Sequence, residues 1–193
     1  VEGVSHLRRY TPCEDSEAAI KVASEVLGAQ ITRESDGTLR IAGAGSQARK
    51  LSKINVGESG LLARLMIPLA AQLDGTVCTV DGERTLTKRP LSGARDIMAS
   101  FGVLLESDSA GEVHVPVRVR GRLLPGKAEI DGKGGSQLIS GLLMALPLAE
   151  KNSRLIITDP RSIPYMFITL DVLRKFGIRI ENEMEGDESF LET

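Results

Sequence analysis

The 193-residue sequence has no tryptophan, two tyrosines and four phenylalanines, so any core it builds must be aliphatic, packed from Leu, Ile, Val, Ala and Met. Two cysteines, Cys13 and Cys78, cannot make a disulfide framework and have no metal-ligand spacing between them. Both read as small apolar residues, and a reducing cytoplasm is the expected compartment. The longest apolar stretch, Leu142 to Leu148 with its flanks, falls far short of the roughly 20 residues a membrane span requires. The opening VEGVSHLRRY lacks the apolar centre of a signal peptide. There is no excess of one charge either: 24 Lys and Arg against 26 Asp and Glu leave a net charge of -2, which argues against general nucleic-acid binding and requires any bound anion to be met locally. His6 and His114 are single and far apart, the latter alternating with Val113 and Val115 as on a strand, so neither reads as catalytic. No Walker, dinucleotide or zinc motif is present.

What the sequence has in quantity is glycine, 20 residues of it, and the glycines are spaced as a repeat. Gly28, Gly102 and Gly177 lie 74 and 75 positions apart, each after an amphipathic stretch and before an apolar strand. Gly60 and Gly135 differ by 75, and Pro90 and Pro164 by 74. The stretches Ala19, Ile20, Ala23, Val26, Leu27 and Ala94, Ile97, Met98, Phe101 each occupy one helical face. The three glycines fit the left-handed position that ends a helix. Between these landmarks, short strands ending at Ile54 and Ile130 lead through glycine-rich turns into Leu61 to Leu73 and Leu138 to Leu148, helices apolar on nearly every side and therefore surrounded by protein. Further strands are expected at Thr76 to Val80 and Leu155 to Thr158.

A full unit therefore reads strand, buried helix, strand, amphipathic helix, strand, strand: an α/β (α+β) fold of repeated βαβαββ units. The expected organisation is a single domain with a partial first unit at 1–49, a second at 50–122 and a third at 123–193. Aligning Gly3 with Gly75 places Val1 at the third element of its unit, and the chain does not begin with Met. The expectation is a fragment whose first unit lacks its opening strand and buried helix, roughly 25 residues by the repeat.

Chemistry is expected at the starts of these helices, where unpaired N–H groups and the positive dipole end favour anions. Asn55-Val56-Gly57-Glu58-Ser59-Gly60, with Arg64 one turn on, is one such turn; Gly132-Lys133-Gly134-Gly135-Ser136-Gln137 is its counterpart. Glu83 to Pro90 supplies three cations ahead of a proline suited to a first helical turn, and Asp159 to Tyr165 matches it 74 residues later. Arg89 could grip a carboxylate or phosphate bidentately. Glu14 and Asp15 read as a cap and dipole partner for the first helix.

At these turns the sequence resembles the EPSP synthase (3-phosphoshikimate 1-carboxyvinyltransferase) group of the enolpyruvyl transferase family. The matching stretches are NVGESGLLARLM (55–66), GERTLTKRPL (82–91), EIDGKGGSQLISGLLMALPLA (129–149) and SIPYMFITLDVLRKFGI (162–178), in the family's order. The resemblance implies two domains, each with three βαβαββ copies in pseudo-threefold arrangement, buried helices inside and sheets outside, with this chain covering most of the N-terminal one and the C-terminal domain missing. It implies transfer of the enolpyruvyl group of phosphoenolpyruvate to the 5-hydroxyl of shikimate 3-phosphate, with no metal or organic cofactor. By the same resemblance Gly135, Ser136, Gln137, Ser162 and Tyr165 surround shikimate 3-phosphate. Gly60, Arg89 and Gln137 meet phosphoenolpyruvate, and Arg64 stands near the same turn. The partners expected are small anionic substrates and the missing domain, not nucleic acid or membrane.

Three positions depart from the family pattern: Gly135 stands where Ser is usual, Ile163 where Lys is common and Glu58 where Asn is common. The last places a negative charge beside an anion site. The family's lysine-bearing segment and its acid/base groups lie outside this chain, so the fragment alone is expected to be inactive. Two other readings stay open: a non-catalytic anion-binding module of the same fold, supported by Gly135 and Glu58, and a UDP-N-acetylglucosamine enolpyruvyl transferase, for which a reactive loop cysteine would be needed.

Overall fold

A computed structural model describes residues 2–45, 52–73, 76–185 and 188–192; the expected boundary at 49 and 50, and Gly75, lie outside them. The chain runs β1 (Val4–Leu7), α1 (Glu14–Lys21), β2 (Gln30–Arg33), β3 (Leu39–Ala42), β4 (Lys53–Asn55), α2 (Gly60–Leu73), β5 (Val77–Asp81), α3 (Ala94–Ala99), β6 (Leu104–Glu106), β7 (Val117–Arg120), β8 (Lys127–Asp131), α4 (Ser136–Ala145), β9 (Arg154–Thr158), α5 (Ile163–Lys175), β10 (Glu181–Glu185) and β11 (Glu188–Glu192). The strands form three sheets, ordered β1-β3-β2, β4-β5-β7-β6 and β8-β9-β11-β10. In both four-stranded sheets the opening strand runs parallel to the next, β4 with β5 and β8 with β9, as a strand–helix–strand connection requires. The remaining pairs are antiparallel. Among the described residues the first sheet has the counterparts of β5, β6 and β7 and nothing in the place of β4.

The helix stops behave as the repeat predicts. Gly28, Gly102 and Gly177 have φ of 76°, 74° and 85°. After α3, the Gly102 N–H bonds to the Ala99 carbonyl and the Val103 N–H to Met98; after α5, Gly177 bonds to Arg174 and Ile178 to Leu173, the paired bonds that consume the last carbonyls of a helix. The first helix ends differently, widening into a π turn at Val22–Val26 so that the Ala29 N–H reaches back to Ala23.

A second conformational mark repeats where the sequence offers no hint of it. Arg9, Arg84 and Asp159, each 75 positions from the next, have φ of 56°, 46° and 44°. Side chains other than glycine avoid this region at a cost of order 1–3 kcal/mol. Finding it at one position of all three units makes it part of the fold.

The centre of the molecule is the pair α2 and α4, the two helices with apolar residues on nearly every side. Leu62, Ala63, Met66, Ile67, Leu69 and Ala70 on one, and Leu138, Ile139, Leu142, Leu143 and Ala145 on the other, are buried. They lie side by side in the same direction: Gly141 faces the backbone of Arg64 and Leu65 near both N-termini, and the Gln72 amide donates 2.9 Å to the Leu148 carbonyl at the far ends. A Cβ on Gly141 would stand 2.7 Å from the Arg64 carbonyl oxygen and 3.1 Å from the Leu65 Cα, so glycine sets how closely the helices approach. Past Ala145, Pro147 turns the chain into the short 3₁₀ segment Leu146–Leu148, which shortens the expected helix.

The amphipathic helices differ in what covers them. α1 sits on the opening of the second unit, where Gly57 meets Ala18 and where Val22 and Val26 join the core around Ile54. α3 sits on the opening of the third, with Gly134 against the Ser92 carbonyl and the Leu124 N–H bonded to Phe101. On α3 and its flanks Leu91, Ala94, Met98 and Phe101 are at most 2% exposed. Their counterparts on α5, Tyr165, Ile168, Val172 and Phe176, are 46% to 63% exposed. Other differences from expectation are local. Pro90 does not open a helix, because Gly93 at φ 73° delays α3 to Ala94; Pro164 does lie in the first turn of α5. His114 lies on an extended loop outside β7, its Nδ1 2.8 Å from the Glu112 carbonyl. Cys13 is exposed, not packed, and is itself the residue before α1, so Glu14 and Asp15 fall inside the first turn; Cys78 is buried as expected.

The Gly141 contact makes a prediction with a definite sign. Helix propensity alone favours Gly141→Ala by up to about 1 kcal/mol, whereas a Cβ driven into backbone should destabilise by about 1–3 kcal/mol. Urea unfolding of the variant should show the loss.

Candidate functional site

The start of α2 is built by Ser59. Its hydroxyl accepts from the Leu62 N–H at 3.2 Å and its carbonyl from Ala63, a helix cap; a Cβ on Gly60 would stand 3.3 Å from Arg64 Nη1 and 3.6 Å from the Leu86 Cδ1. One turn on, Arg64 folds back over this end. Its guanidinium donates to the Gly60 carbonyl at 3.0 Å and to the Pro90 carbonyl at 2.9 Å, which ties α2 to the segment carrying Arg89. Arg64 is half-buried. Burial, and then the charge of Arg89, push its guanidinium below the ordinary arginine value. Arg89 is exposed and extended, and donates 3.1 Å to the Thr85 hydroxyl. Neither arginine forms an ion pair with a carboxylate among the described residues.

The start of α4 has no side-chain cap. Gly135 precedes it at φ 95° and ψ 173°, a region essentially confined to glycine, so Ser136 and Gln137 stand at a helix end whose first N–H groups have no partner within the helix. Ser136 is 3% exposed, and Gln137 is exposed. The start of α5 is equally bare. Ser162 is its capping residue, held in the left-handed region at φ 57° with no side-chain cap bond, and Tyr165 follows at 63% exposure.

These starts meet. Gly141, one turn into α4, lies on the Arg64 backbone, one turn into α2. Ser140, one turn past Ser136, shares a 2.8 Å hydrogen bond with Thr169, one turn past Tyr165, and the Thr169 hydroxyl also donates to the Tyr165 carbonyl. The turn before α4 is wedged between its neighbours: a Cβ on Gly132 would stand 2.8 Å from the Pro160 Cα, and one on Gly134 3.5 Å from the Ser92 carbonyl oxygen. The geometry thus brings Gly135, Ser136 and Gln137 to the middle, Ser162 and Tyr165 to one side, and Gly60, Arg64 and Arg89 to the other. Two parallel helices with adjacent positive ends and two unpaired guanidiniums form an electropositive mouth that suits small polyanions. Among the described residues no three His, Cys, Asp or Glu side chains group as metal ligands, and no helix is long and apolar enough to cross a membrane.

The sequence profile described as EPSP synthase (3-phosphoshikimate 1-carboxyvinyltransferase) matches residues 1–191. The chain belongs to the EPSP synthase family. It is 32% identical over 197 residues to the 3-phosphoshikimate 1-carboxyvinyltransferase of Clostridium kluyveri, covering 98% of this chain and 45% of that protein. It is 34% identical over 178 residues to the protein of the same description from Methanococcoides burtonii, covering 92% and 41%. An EPSP synthase structure from Acinetobacter baumannii superposes with a TM-score of 0.77 at 25% identity, over 98% of this chain and 41% of that one. The enolpyruvyl transferase NikO from Streptomyces tendae shares the fold at a TM-score of 0.55 and 19% identity. The chain spans less than half the length of these relatives.

Two departures from the EPSP synthase pattern acquire a physical setting. Gly135 adopts a backbone that serine avoids, so the turn requires glycine in this chain. Glu58 is not a free charge at the mouth. It accepts from both the N–H and the hydroxyl of Thr85 at 2.8 Å and from Arg84 Nε at 3.2 Å. Its carboxyl lies below the ordinary glutamate value, first through the Thr85 hydroxyl and N–H and then through the charges of Arg84 and Arg89.

Gly135→Ser should therefore destabilise the chain by about 1–3 kcal/mol in chemical unfolding. Because the Glu58 carboxyl is depressed on folding, the stability it contributes is complete above the ordinary value of 4.5 and is lost as pH falls through its lower folded value. Melting temperature should fall less steeply between about pH 5 and pH 3 in Glu58→Gln than in the wild type.

Proposed function

We propose that the intact protein is a 3-phosphoshikimate 1-carboxyvinyltransferase and that this chain supplies one wall of its active site. The observation that carries the reading is the convergence of three helix starts with Arg64 and Arg89, neither of them paired with an acid among the described residues. In this reading Ser136, Ser162 and the N–H groups beside Gly135 hold the phosphate of shikimate 3-phosphate, with Tyr165 against the ring. Gln137 lies between the two substrates. Arg89, Gly60 and Arg64 bind phosphoenolpyruvate, the arginines as charge-assisted donors and the glycine by letting the ligand approach the backbone.

The reaction is addition of the 5-hydroxyl to the enol carbon of phosphoenolpyruvate, giving a tetrahedral ketal, then elimination of phosphate. These groups orient two anions and offset their mutual repulsion, which turns an encounter of like charges into a positioned pair. None of them is a proton donor placed for the addition, so the acid/base groups come from elsewhere in the whole protein and the chain alone is inactive.

The same reading extends to the domain. Each amphipathic helix sits on the opening of the next unit, so α5 should sit on an opening strand and buried helix of the first. Its exposed stripe of Ile168, Val172 and Phe176, one turn and more beyond Tyr165, is the face such a helix would cover, completing three βαβαββ units. The alternative of a non-catalytic module rested on Gly135 and Glu58. The Thr85 and Arg84 bonds of Glu58 remove half of that support, because a carboxylate already satisfied opposes an incoming anion less.

Steady-state kinetics of the full-length protein test the assignment. Arg89→Ala or Arg64→Ala should lower kcat/KM for phosphoenolpyruvate by about 1.5–3 kcal/mol, the range of a charge-assisted hydrogen bond. Unchanged kinetics in both would remove them from the site, and turnover by the 193-residue chain alone would refute its inactivity.

A further inference from the structure

We propose that Glu58 is a positioning residue for Arg89, acting through Thr85; the inference rests on the reading of Arg89 as an anion-binding group and adds what aims it. The bonds form a directed chain. The Thr85 hydroxyl has one proton, which it donates to Glu58 at 2.8 Å, and its oxygen then accepts from Arg89 Nη2 at 3.1 Å. The same carboxylate oxygen takes the Thr85 N–H at 2.8 Å, and the other takes Arg84 Nε at 3.2 Å. Glu58 therefore holds the 84–88 turn against the start of α2 by backbone and side chain together, and Arg84, at φ 46°, is the residue whose backbone most needs holding.

The third unit shows the same clip with its charges reversed. The counterpart of Glu58, 75 positions on, is Lys133, and that of Arg84 is Asp159. Lys133 Nζ lies 3.8 Å from Asp159 Oδ2, and Asp159 has φ 44°. Two units thus join their helix-opening turn to their left-handed residue through opposite charges, although no residue type is shared. Among the described residues the second unit alone adds the Thr85 relay, and there the turn leads to Arg89.

A purely electrostatic role predicts the opposite sign from a positioning role. A negative charge near Arg89 should repel an anion, so its removal by either Glu58→Ala or Glu58→Gln would tighten binding. If Glu58 aims Arg89, Glu58→Ala weakens binding, while Glu58→Gln, which keeps an oxygen to accept from Thr85, does not.

The test uses the 15N-labelled chain, its two Glu58 variants and phosphoenolpyruvate as probe. Without ligand, amide exchange at Thr85 should be about tenfold or more faster in Glu58→Ala than in the wild type, with Glu58→Gln close to wild type and core amides such as Val80 unchanged. Equal Thr85 exchange in all three overturns the clip. In a phosphoenolpyruvate titration Glu58→Ala should bind about threefold or more weaker, and Glu58→Gln no weaker than wild type. Tighter binding by both variants, or equal binding by all three, overturns the positioning role. If the exchange pattern holds while no protein binds phosphoenolpyruvate, a crystal structure of Glu58→Ala decides. Arg89 swung away from Thr85 sustains the positioning role and leaves the anion assignment as the part that failed. Arg89 unmoved overturns it.

Discussion

The close, same-direction packing of α2 and α4 is the constraint on which the rest depends. Helices side by side with dipoles aligned repel each other at both ends, each terminus bearing roughly half an elementary charge. What offsets this is the burial of two nearly all-apolar surfaces, and burial of that extent needs the backbones in contact. Gly141 permits it, with the Arg64 carbonyl where a side chain would otherwise stand. Apolar packing, the largest favourable term available to a sequence so poor in aromatics, therefore sets two positive helix ends next to each other. The site is a consequence of how the core is held together.

That arrangement leaves an electrostatic debt at one end of the molecule. Arg64 is half-buried, bonded only to carbonyls and pushed down by its own burial and by Arg89. A stability-driven design would place an acid there. Glu58, the carboxylate that lies within reach of the Arg89 charge, is instead engaged by Thr85 and Arg84. Left-handed backbone at Arg84 and Asp159, and again at Ser162, adds strain of about 1–3 kcal/mol each at the turns beside these helix starts.

Much of this was legible in the sequence, because the features that carry the repeat are chemically restricted ones. A glycine after an amphipathic stretch can be read as a helix stop, and Gly28, Gly102 and Gly177 all have the positive φ that reading requires. Apolar residues on every face identify α2 and α4 as buried. The spacing of the glycine turns put Gly60 and Gly135 at equivalent helix starts. Sequence failed where a tertiary contact overrode a local preference. Pro90 looks like a helix opener, but Gly93 postpones the helix; Cys13 looks like packing material and stands in solvent. The left-handed Arg9 and Arg84 have no signature at all, since arginine has no propensity for that conformation; Asp159 is of a type that visits it more readily.

Glu58 shows why a residue-by-residue comparison with a family can mislead about sign. Seen as a substitution beside an anion site, a glutamate for an asparagine reads as damage. Its meaning changes once its partners are known, because the carboxylate faces the turn carrying Arg89. A carboxylate can satisfy three donors from two residues at once, as this one does with Thr85 and Arg84, where an asparagine side chain offers a single accepting oxygen. The reversed pair of Lys133 and Asp159 carries the point further. What the units share is a mechanical requirement, that the turn after the second strand be fastened to the start of the buried helix, and either polarity of ion pair meets it. Either polarity leaves no shared identity to read, so the requirement surfaces only as two corresponding pairs, Glu58 with Arg84 and Lys133 with Asp159, whose charges oppose each other within the second and third units.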